Sequence, residues 1–167
     1  MSEVIGIDPS LTSTGLAHGS RPLLTTLKPP KSLDGVERLV WIRDAILHTI
    51  EDSTVVIEGY AYGAKHQAHQ IGELGGVLRV ALYENGIRTY VVPPTKLKMF
   101  AAGKGNASKD VVGYEAVSRF GISPGDNNQA DALWLWEIGN HLLGTPTIDL
   151  PKTHTRALDG KITLLHS

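Results

Sequence analysis

The stretch that decides the fold is VIGIDPSLTSTGLAHG, residues 4–19. Its first part, residues 4–8, is a short apolar run that ends on a carboxylate, Asp8, and such a run is typical of a buried strand. Residues 15–19 and 23–27 have the composition of two further strands. The sequence therefore predicts that the chain opens with a meander of three strands.

The rest of the chain alternates strands with helices. Apolar, β-branched runs at residues 54–58 and 88–92 predict a fourth and a fifth strand. Apolar residues at helical spacing predict helices at residues 36–50, 70–84, 95–102, 109–120 and 127–143. Because a strand–helix–strand unit makes parallel neighbours and a meander makes antiparallel ones, we expect a mixed five-stranded sheet flanked by helices. This α/β arrangement is expected as a single domain over residues 1–143, and the Thr- and Pro-rich residues 144–167 as a tail that forms a small hairpin or stays extended.

Composition limits the classes of function. The 167 residues include no cysteine, which excludes disulfide bonds, thiolate zinc sites and cysteine nucleophiles. The formal net charge of -1 argues against a protein that coats DNA without specificity, because Lys and Arg supply most of that affinity. No apolar run is long enough to span a membrane, and the first residues lack the pattern of a secretory signal. We therefore expect a soluble, intracellular (cytoplasmic) protein without a membrane partner.

Basic residues are concentrated in one segment of the chain. Residues 85–109 contain no Asp or Glu. The basic residues of this segment are Arg88, Lys96, Lys98, Lys104 and Lys109. Such segregation predicts a local phosphate-binding surface, whereas the alternative is a lysine-rich loop that is simply solvated.

Three carboxylates lie where separate elements end or begin. Asp8 ends the first strand, and Glu58 ends the fourth strand just before Gly59, where the backbone can bend away. Asp131 lies near the start of the last helix among apolar residues, where an unpaired carboxylate is costly. Carboxylates are ligands of Mg²⁺ or Mn²⁺, which promote phosphodiester cleavage. These residues predict a metal site, although Asp8 alone is also explained by the turn that follows its strand.

Six pieces of the sequence occur in an order that can be compared with known families. They are IGIDPS (5–10) with Thr14-Gly15, VIE (56–58), IGELGGV (71–77), PPTKLK (93–98), KGNASK (104–109) and QADAL (129–133). Together they resemble the RuvC-like Holliday junction resolvases, in particular the smaller phage members, from about residue 3 to residue 143. The resemblance implies a ribonuclease H-like fold and a Mg²⁺- or Mn²⁺-dependent endonuclease that cuts branched DNA as a homodimer. It also implies a phage protein that acts inside a host cell.

The resemblance assigns roles to individual residues. The two N-terminal carboxylates of the family correspond to Asp8 and Glu58, and the acid of its last helix corresponds to Asp131. Where many members carry a fourth acid, this chain has Asn128, which offers a carbonyl oxygen but no charge. The alternative is that Asn128 caps the helix and that Asp126 supplies the missing charge.

The resemblance also implies contacts to DNA and to a second copy of the chain. Lys98 and Lys109 match basic positions of the family, and Tyr60 or Tyr62 matches an aromatic residue that stacks on an exposed base; packing of the loop is the alternative for both tyrosines. The predicted DNA-binding residues are Lys96, Lys98, Lys104, Lys109, Tyr60 and Tyr62. His66 and His69 are predicted to contact phosphate or solvent rather than zinc, since two ligands do not make a zinc site. Residues Gly72, Gly75 and Gly76 either pack two copies together or pack on the sheet.

Two other classes of function agree less well with the sequence. Sugar kinases and actin-like ATPases share a similar sheet and a Gly-Ile-Asp turn, but they need two such domains, and this chain has no P-loop. A catalytically silent DNA-binding module is disfavoured because all three acids are present. Among nucleases, the sequence leaves open whether four-way junctions, forks or flaps are cut.

Overall fold

One mixed sheet organises the computed structural model, which describes residues 3–59 and 68–166. Its strand order is β3-β2-β1-β4-β5-β6. The strands are β1 (Glu3–Asp8), β2 (Thr14–His18), β3 (Leu23–Leu27), β4 (Ser53–Glu58), β5 (Thr89–Val92) and β6 (Thr163–Leu164). β1 to β3 form an antiparallel meander, and β1, β4 and β5 run parallel. The predicted meander and mixed α/β sheet are confirmed.

Six α-helices occur in the described residues. They are α1 (Gly35–Thr49), α2 (Ala68–Glu84), α3 (Pro94–Ala102), α4 (Lys109–Phe120), α5 (Asn127–Leu142) and α6 (Lys152–Thr155). The first five agree with the predicted helices to within two residues at each end. Within residues 3–59 and 68–166, no helix has the length and apolar character needed to cross a membrane.

The two faces of the sheet carry separate apolar clusters, because successive strand residues point to opposite faces. On one face, Ile5 and Ile7 pack with residues of α1 and α2. On the other face, Val4 and Val56 pack with α5 and with residues of α3 and α4. Helices from both faces therefore reach the carboxyl ends of β1 and β4.

Helix α5 lies unusually close to the sheet because two strand residues lack a side chain. A Cβ atom at Gly6 would overlap the carbonyl oxygen of Ala132, and one at Gly15 would overlap the carbonyl oxygen of Asn128. The start of α5 is thus held against β1 and β2. This contact brings the predicted site residues of α5 next to the end of β1.

The segment after α5 folds back onto the rest of the chain. Glu137 of α5 is fully buried and accepts hydrogen bonds from the backbone N–H groups of Thr147 and Ile148, at 2.8 and 3.1 Å. Next come α6, a 3-10 turn at Arg156–Leu158 and the two residues of β6, which pair antiparallel with β5. The sheet thus has six strands rather than the predicted five. A two-residue strand has too short a pattern to be recognised in sequence, and it forms here because it pairs an otherwise open edge.

Candidate metal centre

Three carboxylates meet at the carboxyl ends of β1 and β4. Asp8 is the last residue of β1, Glu58 is the last residue of β4, and Asp131 lies near the start of α5. One carboxylate oxygen from each residue can be chosen so that all three atoms lie within 4.8 Å of one another. The structure therefore brings together the three acids that the sequence placed at separate element ends.

Burial raises the pKa of all three groups, and repulsion by neighbouring carboxylates adds to the shifts of Asp8 and Glu58. Burial, followed by the charges of Glu58 and Asp131, holds the pKa of Asp8 well above its usual range. Burial and the charge of Asp131 raise the pKa of Glu58 to about 8, and burial raises that of Asp131 to about 6. Lys98 and Lys109 oppose these last two shifts only in part. Concentrated, buried negative charge with oxygen donors is the environment that a hard divalent cation stabilises, so the three residues fit such an ion.

Relatives of known identity agree with this geometry, although no model of a protein family matches the chain. The chain is 31% identical over 145 residues to the crossover junction endodeoxyribonuclease RuvC of Halorhodospira halophila, and the match covers 80% of the chain and 86% of that relative. The chain belongs to the RuvC family. RuvC of Thermus thermophilus is 27% identical over 151 residues, covering 78% of the chain and 88% of that protein.

Solved RuvC structures share the fold of the chain. The Thermus thermophilus RuvC structure gives a TM-score of 0.65 at 27% identity and covers 88% of the chain and 99% of its own. The structure of the same protein in complex with Holliday junction substrate gives a TM-score of 0.66 at 27% identity, covering 89% and 100%. The predicted RuvC and ribonuclease H-like assignments are confirmed, whereas the phage type stays a prediction.

The carboxylates of this RuvC-family chain lie in a groove of about 480 Å³. The helices of one sheet face contribute Arg38 of α1 and Gln70 and Ile71 of α2 to the groove. The helices of the other face contribute Lys98 of α3, Lys109 of α4 and residues of α5. The groove therefore has an α1–α2 side and an α3–α4–α5 side. Asp8 and Glu58 lie at the strand ends between the two sides, and Asp131 belongs to the α3–α4–α5 side.

Two of the four predicted DNA-binding lysines line this groove. Lys98 and Lys109 both lie near enough to the acids to lower the pKa of Glu58 and of Asp131. The Nζ of Lys96 instead donates to the carbonyl oxygen of Asp159, at 3.1 Å. Residues two apart on a helix do not share a face, so Lys96 and Lys98 point in different directions. The side chain of Lys104 is exposed and does not line the groove.

Asn128 lines the groove together with Asp131. Its amide Nδ2 donates to the carbonyl oxygen of Ser13, at 2.7 Å. Since the amide nitrogen is held in this way, the Oδ1 atom is the one available to a ligand in the groove. The residue is thus fixed in orientation by the loop between β1 and β2.

The N-cap of α5 is Asp126 and not Asn128. One carboxylate oxygen of Asp126 accepts from the backbone N–H of Gln129 at 2.8 Å, and the other accepts from the hydroxyl of Ser13 at 3.3 Å. Asp126 is not part of the three-carboxylate cluster, although its charge contributes to the raised pKa of Asp8. Both oxygens of Asp126 therefore already have hydrogen-bond donors.

The remaining predicted residues lie in or near α2. Tyr60, Tyr62 and His66 fall outside the described residues, and His69 is exposed in the first turn of α2. The three predicted glycines are all in α2: Gly75 lines a small pocket next to Glu58, and Gly76 lines a groove between α1 and α2.

Among the polar helix residues that line the groove, sequence reasoning missed Arg38 and Gln70. Arg38 lies near the start of α1, and Gln70 lies near the start of α2. The spacing of apolar residues in these helices shows only which residues face the sheet. The order of strands and helices places the starts of α1 and α2 at the edge of the sheet where β1 and β4 end, but only tertiary packing decides which polar residues of these helices reach the groove.

Proposed function

We propose that the protein is a divalent-metal-dependent endonuclease that cuts branched DNA, with four-way junctions as its substrate. The observation that carries this proposal is the convergence of Asp8, Glu58 and Asp131 in a groove that also holds Lys98 and Lys109. Membership of the RuvC family supports the activity, and a structural neighbour solved with Holliday junction substrate supports the substrate class. Forks and flaps are the alternative substrates.

The donor set supports Mg²⁺ or Mn²⁺ as the ion. Asp8, Glu58 and Asp131 offer carboxylate oxygens and no sulfur or imidazole ligand, which suits hard cations. Such an ion, when bound there, supplies Lewis-acid assistance to the attack of water and to the departure of the leaving oxygen. Asn128 adds a neutral oxygen to the same place, so it contributes less to cation affinity than a fourth carboxylate would.

The two lysines of the groove hold the DNA near the acids. A phosphodiester strand carries negative charge and is repelled by three carboxylates, so its approach needs compensating positive charge. Lys98 and Lys109 supply that charge from two different helices. Contacts of this kind go to the backbone and not to the bases, so the lysines position the strand without reading its sequence.

Cleavage of a labelled DNA panel tests the proposal. The substrates are four-way, three-way, splayed and linear duplex DNA, each incubated with Mg²⁺ and with Mn²⁺ and mapped to the nucleotide. We expect paired, symmetric nicks in the four-way junction, and we expect Asp8→Asn and Glu58→Gln to lose cleavage while they keep junction binding. A wild-type protein that binds junctions but cuts none of the four substrates would instead be a silent binding module.

We propose further that the protein acts as a homodimer. Its contact surface is the groove between α1 and α2 that Asp44 and Gly76 line, which is separate from the groove of the three acids. Val80 and Tyr83 of α2 are 56% and 59% exposed, and Val40 of α1 is 36% exposed. On α2, Val80 lies one helical turn after Gly76, which lines the groove between α1 and α2. On α1, Val40 lies one helical turn before Asp44, which lines the same groove. Apolar side chains therefore border this groove. The residues of α2 that pack on the sheet are Leu74, Leu78 and Leu82. The exposed apolar side chains of α2 are therefore available to contact a second copy of the chain.

The mass of the protein in solution tests the dimer. Light scattering at micromolar concentration should report about twice the 18.0 kDa of one chain. Val80→Glu should shift the protein toward the monomer, because it buries a charge in the contact. A single 18.0 kDa species in the presence of junction DNA would contradict both the dimer and paired cutting.

A further inference from the structure

The two predicted lysines that line the groove, Lys98 and Lys109, both lie on its α3–α4–α5 side. Arg38, from the α1–α2 side, lines the same groove across the acids from Lys98 and Lys109. We propose that Arg38 is a further DNA-binding residue, which holds a phosphate of the cleaved strand on the side of the carboxylates opposite to the two lysines. This inference rests on the proposed function as a DNA endonuclease.

Hydrogen bonds hold the guanidinium of Arg38 in one orientation. Its Nε and Nη2 donate to the carbonyl oxygen of Leu33, at 2.8 and 2.6 Å. A guanidinium has five N–H donors, so three of them stay available. Among the described residues, no carboxylate forms an ion pair with Arg38 and no other acceptor bonds its side chain. A half-buried guanidinium that is already oriented loses little freedom when it binds a phosphate.

The charge of Arg38 is separate from the acid cluster. Lys98 and Lys109 lower the pKa values of the acids, whereas Arg38 is not among the groups that shift them. Among the described residues, no carboxylate forms an ion pair with Arg38, so its positive charge is available to a phosphate.

The course of a DNA strand explains why both sides need positive charge. A strand that presents one phosphodiester to the acids also presents the neighbouring phosphates on either side of it. Lys98 and Lys109 serve one direction along the strand, and Arg38 serves the other. Contacts on both sides fix the cleaved bond against the acids, which contacts on one side alone would not do.

The alternative is that Arg38 only holds the turn before α1, through Leu33. Three variants separate the two roles. Arg38→Gln removes the charge, and Arg38→Lys keeps the charge but cannot reproduce the paired bonds to Leu33. Arg119→Gln is the matched control, because Arg119 is half-buried on α4, pairs with Glu115 at 2.8 Å and lies outside the groove.

The first measurement is binding of a four-way junction in EDTA over a range of salt concentrations. A lost phosphate contact lowers the slope of log K against log salt by about 0.9. We expect this loss of slope in Arg38→Gln and a wild-type slope in Arg38→Lys and in Arg119→Gln. Thermal unfolding should show that all three variants fold. A wild-type slope in Arg38→Gln, or an equal loss in Arg38→Gln and Arg38→Lys, would overturn the proposal.

The second measurement locates the phosphate. Junctions that carry one neutral methylphosphonate are bound by the wild type, by Arg38→Gln and by Lys98→Gln. If Arg38 contacts a given phosphate, neutralising that phosphate weakens binding by the wild type and by Lys98→Gln but not by Arg38→Gln. The phosphates that depend on Arg38 should lie on the other side of the cut from those that depend on Lys98. Dependence of both residues on the same phosphate would overturn the two-sided arrangement.

Failure of the proposed function gives a different result from failure of this inference. A wild type that binds junctions without cutting them would refute the nuclease activity, while the slopes and the phosphate dependence would still decide the role of Arg38. A wild type that binds no DNA would refute both.

Discussion

Asp131→Asn should stabilise the protein when no metal ion is present. Burial raises the pKa of the Asp131 carboxyl from 3.8 to about 6, so the folded protein holds its proton more tightly than the unfolded chain does. The penalty for the ionised form is absent below pH 3.8, grows as the pH rises, and is complete above about pH 6. A neutral amide of the same shape has no such penalty.

The size of the effect follows from the pKa. A rise from 3.8 to about 6 corresponds to an upper limit of about 3 kcal/mol, at about 1.4 kcal/mol per unit. Asp131 is half-buried, and water at its exposed edge reduces this value, so we expect about 1–3 kcal/mol at pH 8. For a domain of this size, each 1 kcal/mol shifts the unfolding temperature by about 2–4 °C.

Thermal unfolding in EDTA measures the effect at pH 8 and at pH 4. Asp131→Asn should unfold at a higher temperature than the wild type at pH 8 and at nearly the same temperature at pH 4. The control is Asp149→Asn, which replaces an exposed carboxylate and should change neither value. Added Mg²⁺ should reverse the order at pH 8, because only the wild type keeps all three ligands and gains the full stabilisation from binding. A less stable Asp131→Asn in EDTA at pH 8 would refute the reasoning, since Asp131 would then gain more from Lys98 and Lys109 than it loses by burial.

Three further predictions concern the metal, the DNA and the tail. Asn128→Asp should lower the Mg²⁺ concentration for half-maximal cleavage, and Asn128→Ala should raise it; unchanged titrations of both would remove Asn128 from the metal site. Lys98→Ala and Lys109→Ala should each reduce the salt slope of junction binding by about one, whereas Lys104→Ala, outside the groove, should leave it unchanged. His154→Ala should lower the free energy of unfolding by about 1–3 kcal/mol in urea, because it removes the buried hydrogen bond of 2.8 Å that ties the tail to α3; equal urea midpoints would show that this bond contributes nothing.

The sequence by itself determined the order of the elements and the three acids. Strand and helix periodicities are properties of neighbouring residues, so they are readable along the chain. Asp8 and Glu58 end adjacent parallel strands, which places both at the same edge of the sheet. Asp131 was predicted as the third ligand because it lies among apolar residues of the last helix, where an unpaired carboxylate is costly.

Only the tertiary structure decided which polar side chains share the groove. Lys98 lines it while Lys96 binds the tail, and Arg38 reaches it from the other face of the sheet. The tail supplies a sixth strand, and Asp126 takes the N-cap of α5. The lining of the groove and the sixth strand depend on contacts between residues far apart in the chain. The bond from the backbone N–H of Gln129 to Asp126 is local, and only the bond from the Ser13 hydroxyl to Asp126 joins distant residues. Periodicity shows which face of a helix is buried, but the packing of that helix sets which of its polar residues meets a groove.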